Sequence, residues 1–310
     1  MNTTGKTPSR RALLAWGAGA AVAASLPAGG SAFAATASPA GSGAVAHALA
    51  DLEREHSARL GVYAHDTATG RTVRYRAQER FPLCSVFKTL AVAAVLRDLD
   101  RDGEFLAKRV RYTAQEAAAS GYAPVTGRPE NLARGMTVAE LSDAAIRFSD
   151  NAAANLLLRE LGGPTAVTRF ARSTGDAATR LDRWEPELNS AEPGRVTDTT
   201  TPYAIGRTYE RLVLGSALAP ADRRRLTGWL LGNTTSSERL RAGLPAGWAV
   251  ADKTGGGEYG TNNDVGIAWP PGRPPLVIAV LTTKPHPDAP ADNPLIARTA
   301  ALLATALTGR

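Results

Sequence analysis

Cysteine, histidine and lysine are all scarce in this sequence, and each shortage narrows what the chain can be. Cys84 is the only cysteine among 310 residues, so no disulfide can form within the chain. The four histidines, His47, His56, His65 and His286, show no His-x-x-x-His or Cys/His spacing. No metal centre is read from them, and no cofactor is expected. Two of them, His47 and His56, lie nine residues apart on a predicted helix and read as surface residues. Only Lys6, Lys88, Lys108, Lys253 and Lys284 are lysines; arginine supplies the rest of the 36 basic side chains. The formal net charge of +7 is spread along the chain without a dense Lys/Arg block, so no nucleic-acid partner is expected. Long apolar runs are also lacking. The uncharged stretch from Ala12 to Ala28 is rich in Gly and Ala and has no stop-transfer pattern, which argues against a membrane anchor.

What is present begins with a processing signal. Ser9-Arg10-Arg11-Ala12-Leu13-Leu14 precedes that uncharged run, and Ala32-Phe33-Ala34 offers a small-x-small cleavage site. Residues 1–34 read as a twin-arginine export signal, so the twin-arginine export machinery is an expected partner of the precursor. The mature chain is then secreted, extracellular or (in a host with an outer membrane) periplasmic, with no membrane partner after processing and a monomer by default. Residues 35–44 read as a flexible mature N-terminus. With 44% hydrophobic residues and five tryptophans, the remainder can bury one large core.

Periodicity organises residues 45–310 as one domain. Residues 44–58 carry helical spacing. Leu60–Asp66 and Thr72–Arg76 alternate like strands around a turn at Thr69-Gly70. Val86–Leu99 is apolar nearly all round, a buried helix. Thr137–Phe148 opens on a capping box, Thr137 with Glu140. Helices follow at Asn151–Leu161, Pro202–Leu214 and Pro220–Leu231, the last two with proline near the start. Trp248–Thr254, Asn262–Trp269 and Leu276–Thr283 read as three strands and Asn293–Leu307 as a final helix. Strands at both ends and helices between them predict an α+β fold: an antiparallel sheet of about five strands flanked by helices, from residues 45–80 and 230–310, plus an all-helical lobe over 81–229. Residues 179–201 are polar, aperiodic and long for a loop, which marks them as functional or disordered. Arg183 and Asp198 can pair to close the neck of this segment.

Four segments carry chemistry. Ser85-Val86-Phe87-Lys88 follows Phe81-Pro82-Leu83 and opens the buried helix. A serine there meets the free N–H groups of a helix start, and Lys88 lies one turn on. A neutral Lys88 would accept the serine proton; a charged one would lower the hydroxyl pKa. Cys84, just before it, is either a buried packing residue or a second nucleophile. Ser149-Asp150-Asn151 is either a helix stop with an Asx cap or a source of cleft side chains: Ser149 to relay a proton, Asn151 to bond a substrate amide. Lys253-Thr254-Gly255-Gly256-Gly257 is either a Gly-rich hairpin or a ligand edge. In the second reading Lys253 and Thr254 meet a carboxylate, and Gly256 N–H joins Ser85 N–H as an oxyanion donor. Glu185 and Asn189 lie in the irregular segment and supply a carboxylate and an amide for one water, a general-base pair; Pro186 makes the Glu185-Pro186 bond a candidate for the cis form.

These four segments, in this order, resemble the class A serine β-lactamases, over roughly residues 45–308. Leu181 to Asn189 is similar to the Ω-loop of that family, and Asp198-Thr199-Thr200 and Leu244-Pro245-Ala246-Gly247-Trp248 match as well. The resemblance implies a β-lactamase/transpeptidase-like fold and hydrolysis of penicillin- or cephalosporin-type antibiotics, hence resistance, with small-molecule β-lactams as partners. It implies Ser85 as acyl-ester nucleophile, Lys88 as neighbouring base or relay, Glu185 with Asn189 as activator of the deacylating water, and Ser149 with Lys253 as a proton and carboxylate network. Asn151 binds the side-chain amide, and Thr254, Gly255 and Gly256 line the substrate edge. Tyr122, in Tyr122-Ala123-Pro124-Val125-Thr126, resembles the aromatic wall of the cleft. Where many members carry an arginine after Lys-Thr/Ser-Gly, Asn262 or Asn263 stands here; Arg239 resembles the alternative arginine of other members. A D,D-peptidase and a non-hydrolysing β-lactam sensor share the Ser-x-x-Lys and Lys-Thr-Gly logic, and Glu185 with Asn189 argues against both.

Overall fold

In a computed structural model, residues 39–309 are described; the export signal expected over 1–34 lies outside them. Five strands form one antiparallel sheet: β1 (Arg59–Asp66), β2 (Thr72–Tyr75), β3 (Ala249–Gly257), β4 (Thr261–Trp269) and β5 (Leu276–Thr283), in the order β2-β1-β5-β4-β3. Both faces of the central strands are covered, and β5 accordingly reads Leu-Val-Ile-Ala-Val-Leu, an unbroken apolar run. Alternation assigns each residue to a face. Leu60, Val62, Ala64, Leu276, Ile278 and Val280 pack with Leu295, Ile296 and Leu303 on the side of the terminal helices, α1 (Pro39–Glu55) and Asn293–Thr308. Tyr63, Val277, Ala279 and Leu281 face the other way, into a core shared with the helices of the middle of the chain.

That second core centres on the helix Phe87–Ala94, whose every residue is buried. It is preceded by a 3-10 turn at Cys84–Val86 and ends in a π turn at Val95–Leu99, so the predicted helix over 86–99 is three geometries in series. Around it lie Val138–Arg147, Asn151–Glu160, Thr165–Ser173, Pro202–Val213 and Pro220–Leu231. The Thr137–Glu140 capping box is formed.

Helix α1 begins at Pro39. Two expectations are corrected. Strand β3 runs through its glycines to Gly257 because it pairs with β4 along its whole length. His56 is half-buried, its Nδ1 3.1 Å from Asp292, the N-cap of the final helix.

Candidate active site

The turn that carries Ser85 is held on both sides. Phe81–Pro82 pairs with Thr199–Thr200, and Leu83 N–H donates to Asp198 O at 2.8 Å. Cys84 takes φ 43°, in the left-handed region. Its thiol is buried, and burial pushes its pKa up, which leaves it inert and settles it as a packing residue. Strand β3 presses against this turn. A Cβ at Gly255 would lie 3.1 Å from Val86 Cγ2 and 3.2 Å from Leu83 O, a tight fit that would press the strand off the turn by a few tenths of an ångström.

One turn beyond Ser85, Lys88 is fully buried. Its Nζ donates to Ser149 O at 2.7 Å and Asn151 Oδ1 at 2.6 Å, and sits 3.0 Å from Glu185 Oε1. Three acceptors match the three N–H bonds of an ammonium. Loss of water drives the Lys88 pKa below the ordinary lysine range, and the Glu185 carboxylate opposes that shift.

Ser149-Asp150-Asn151 forms the helix cap and also places Ser149 and Asn151 on the cavity wall. Asp150 caps the helix at Asn151, accepting Ala153 N–H at 2.8 Å, and gathers Val125 N–H, Thr126 N–H and the Thr126 hydroxyl. Ser149, at φ 57°, turns its hydroxyl to accept from Lys253 Nζ at 3.0 Å. Asn151 donates through Nδ2 to Ser120 O at 3.0 Å and through its backbone N–H to Tyr122 O at 2.8 Å. Tyr122 stands 52% exposed at the cleft mouth.

The irregular segment is closed at its neck by Arg183, whose Nε donates to Asp198 Oδ2 at 2.5 Å. The Glu185-Pro186 bond is cis. Glu185 is buried: Oε1 accepts from Ser85 Oγ at 3.3 Å, and Oε2 accepts from Asn189 Nδ2 at 2.5 Å. Its backbone is clamped by a residue the sequence did not single out. Asn155 Oδ1 accepts Glu185 N–H at 3.0 Å and Asn155 Nδ2 donates to Glu185 O at 2.9 Å. The available signal was spacing: Asn155 lies one helical turn from Asn151, hence on the same face.

On β3, Lys253 Nζ also donates to Thr254 O at 2.9 Å. Burial, then repulsion from Lys88 and Arg239, lowers the Lys253 pKa well below its ordinary value. The Thr254 hydroxyl is 2.5 Å from that of Thr235. Arg239 Nη1 donates to Gly255 O at 3.2 Å and Asn263 O at 3.0 Å, and Nε to Asn293 Oδ1 at 3.0 Å. Asn262 and Asn263 are bracing groups: their amides donate to Asn293 Oδ1 and Pro82 O. Among the described residues, no carboxylate pairs with Arg239 or Lys253.

Ser85, Tyr122, Ser149, Asn151, Asn189, Thr235, Arg239, Thr254, Gly255 and Gly256 line one cavity of about 260 Å³. Lys88, Glu185 and Lys253 lie buried beneath it. A larger groove of about 620 Å³, behind residues 191–196, holds none of these side chains. The cavity therefore combines a hydroxyl in contact with a carboxylate, a buried amine beside both, and two cations at one end.

A family model described as the Beta-lactamase enzyme family matches residues 44–307. The chain is 73% identical to a β-lactamase of Streptomyces lavendulae over 307 residues, 99% of this chain and 100% of that protein. It is 67% identical to a β-lactamase of Streptomyces fradiae, over 99% and 100% of the two chains. The solved β-lactamase of Streptomyces albus G superposes with a TM-score of 0.85 at 65% identity, covering 85% of this chain and 99% of that one. By these matches the chain belongs to the β-lactamase enzyme family, as a class A serine β-lactamase of the actinobacterial type.

Proposed function

We propose that this protein hydrolyses the β-lactam ring through an acyl-enzyme on Ser85 and thereby gives resistance to such antibiotics. The observation that carries the reading is the pairing of Glu185 with Asn189 next to Ser85. Asn189 Nδ2 donates to Glu185 Oε2, while Asn189 Oδ1 is buried with no protein partner. A buried acceptor without a donor is costly, and a water O–H satisfies it. A water bound between Asn189 Oδ1 and Glu185 would be the nucleophile for deacylation, Glu185 taking its proton.

Acylation starts from the Ser85 hydroxyl, which donates to Glu185 Oε1. Lys88, touching the same oxygen, gives the proton a second route, because burial brings its neutral form within reach. The Ser85 and Gly256 N–H groups receive the developing oxyanion: Ser85 lies in the 3-10 turn Cys84–Val86 and Gly256 on the edge strand β3. Ser149, bonded to Lys253, passes a proton to the ring nitrogen as the C–N bond breaks. Asn151 and Tyr122 border the side-chain amide. Lys253, Thr254 and Arg239, with Gly255, meet the substrate carboxylate, for which the unpaired cations provide the complementary charge.

Residues 1–34 serve as the twin-arginine export signal, and 45–310 as the catalytic domain of a secreted monomer. Among the described residues, no helix is long and apolar enough to cross a membrane. The decisive experiment is mass spectrometry of Glu185→Gln after penicillin addition. Acylation keeps the Lys88 route while deacylation loses its only base, so a penicilloyl adduct accumulates. Unchanged turnover would falsify the role of Glu185; a long-lived adduct on the unaltered enzyme would favour the sensor reading.

A further inference from the structure

We propose that Asp264 is a positioning residue for Arg239: its carboxyl hydrogen-bonds that of Asp252, and the pair clamps the 239–241 turn from beneath so that the Arg239 charge stays in the cleft. The proposal rests on the reading of Arg239 as a partner of the substrate carboxylate.

Asp252 on β3 lies opposite Gly266, and Asp264 on β4 lies opposite Thr254, so the two are diagonal neighbours on one sheet face, the face that packs under Leu240 and the last helix. Both are fully buried. Asp252 is well supplied with donors: Arg241 Nε at 3.0 Å and Nη2 at 2.7 Å to Oδ1, and Asn233 Nδ2 at 3.1 Å to Oδ2. Asp264 has one, Leu240 N–H at 3.1 Å to Oδ2, and its Oδ1 is buried without a partner. Two adjacent buried carboxylates cannot both ionise; Arg241 is committed to Asp252, and Arg239, whose charge opposes the upward shift on Asp264, bonds neutral oxygens instead. A proton on Asp264 Oδ1, donated to Asp252, removes the repulsion and supplies the missing bond. Burial, then the Asp252 charge, holds the Asp264 pKa well above the carboxylate range, which agrees. The other charged or titratable groups whose fields reach the pair are Arg239 and, from the opposite face of the sheet, Lys253 and Tyr209; the final helix offers the neutral Asn293 above Arg239.

The consequence falls on Arg239. Its chain neighbours are pinned, Leu240 through its N–H on Asp264 and Arg241 through its side chain on Asp252. Its own guanidinium bonds only neutral oxygens. An ionised Asp264 would draw that guanidinium into an ion pair and away from substrate. A neutral Asp264 anchors the turn without competing for the charge.

The test has two arms. In infrared spectra of the enzyme in D2O at neutral pH, the wild type shows the C=O stretch of a protonated buried carboxyl, and Asp264→Asn loses it. In kinetics with a carboxylated penicillin, Asp264→Asn, whose amide both donates to Asp252 and accepts from Leu240, keeps KM within about twofold, whereas Asp264→Leu raises KM roughly tenfold at nearly constant kcat. Absence of the infrared band overturns the shared proton, whether or not Asp264→Leu folds. A KM for Asp264→Asn as poor as that of Asp264→Leu overturns the positioning role. Arg239→Ala separates the two readings: an unchanged KM there sinks the carboxylate assignment itself, while the infrared arm still reports on the pair.

Discussion

Replacing Asn155 with alanine isolates what holds the deacylating base in place. The change leaves every cavity-lining side chain intact and removes two hydrogen bonds, to the N–H and C=O of Glu185. Glu185 is 3% exposed, so both backbone groups lose a partner with little access to bulk water. Each unsatisfied group costs about 1–3 kcal/mol, and roughly 2–6 kcal/mol is at stake in total. The rest of the loop stays tied through Arg183 to Asp198 and through Asn189 to Glu185, so the fold survives with a lower Tm, on the order of 10 °C down for a domain of this size. The chemical effect is larger than the thermal one suggests, because a misplacement of about 1 Å at a reacting group costs on the order of 100-fold. In the proposed cycle deacylation depends on Glu185 alone and bears the full loss, while acylation keeps Lys88. Stopped-flow turnover of a chromogenic cephalosporin should therefore show a burst of about one equivalent in Asn155→Ala, followed by a steady state slowed by roughly two orders of magnitude. A variant with the lowered Tm and wild-type steady-state rates would refute the argument, since the clamp would then stabilise the fold without placing the base.

Two further perturbations test neighbouring parts of the site. The lowered pKa of Lys253 means that its charge is lost, as pH rises, before that of a free lysine; KM for carboxylated substrates should climb on the alkaline side below about pH 10, and Lys253→Arg should shift that limb upward because arginine stays charged. An alkaline limb unmoved by the arginine would assign it to another group. A Cβ at Gly257 would fall 2.6 Å from Asn189 O and 2.9 Å from Cys84 Sγ, whereas at Gly256 the nearest atom is Thr261 O at 3.8 Å. Gly257→Ala should lose about 1–3 kcal/mol in denaturant unfolding and weaken the seat of Asn189, while Gly256→Ala should unfold close to wild type; equal losses would show that strand pairing, not crowding, sets the cost.

The parts of the site that were legible in the sequence are those where neighbours in the chain are neighbours in space. Ser85 and Lys88 share a helical turn, Lys253 and Thr254 share a strand, and Glu185 reaches Asn189 across one short 3-10 turn. The fold was legible for a similar reason: two-sided burial writes Leu276–Thr283 as an unbroken apolar run, and the capping box at Thr137 marks its helix start. For Asn155 the spacing from Asn151 marks the helix face but not the partner on it, which is 30 residues away in the chain. His56 was misread because the residue that buries it, Asp292, comes from the far end of the chain. Asp252 and Asp264 lie between these cases. Strand β4 is buried from Thr261 through Ala268, yet its first half reads Thr-Asn-Asn-Asp and its second Val-Gly-Ile-Ala. Four polar residues in a central strand are a costly choice unless each is bonded. Asn263 holds the Ser85 turn through Pro82 O, Asn262 shares Asn293 with Arg239, and Asp264 holds Leu240. The switch from polar to apolar along that one strand therefore marks where the sheet stops being core and begins to position the cleft.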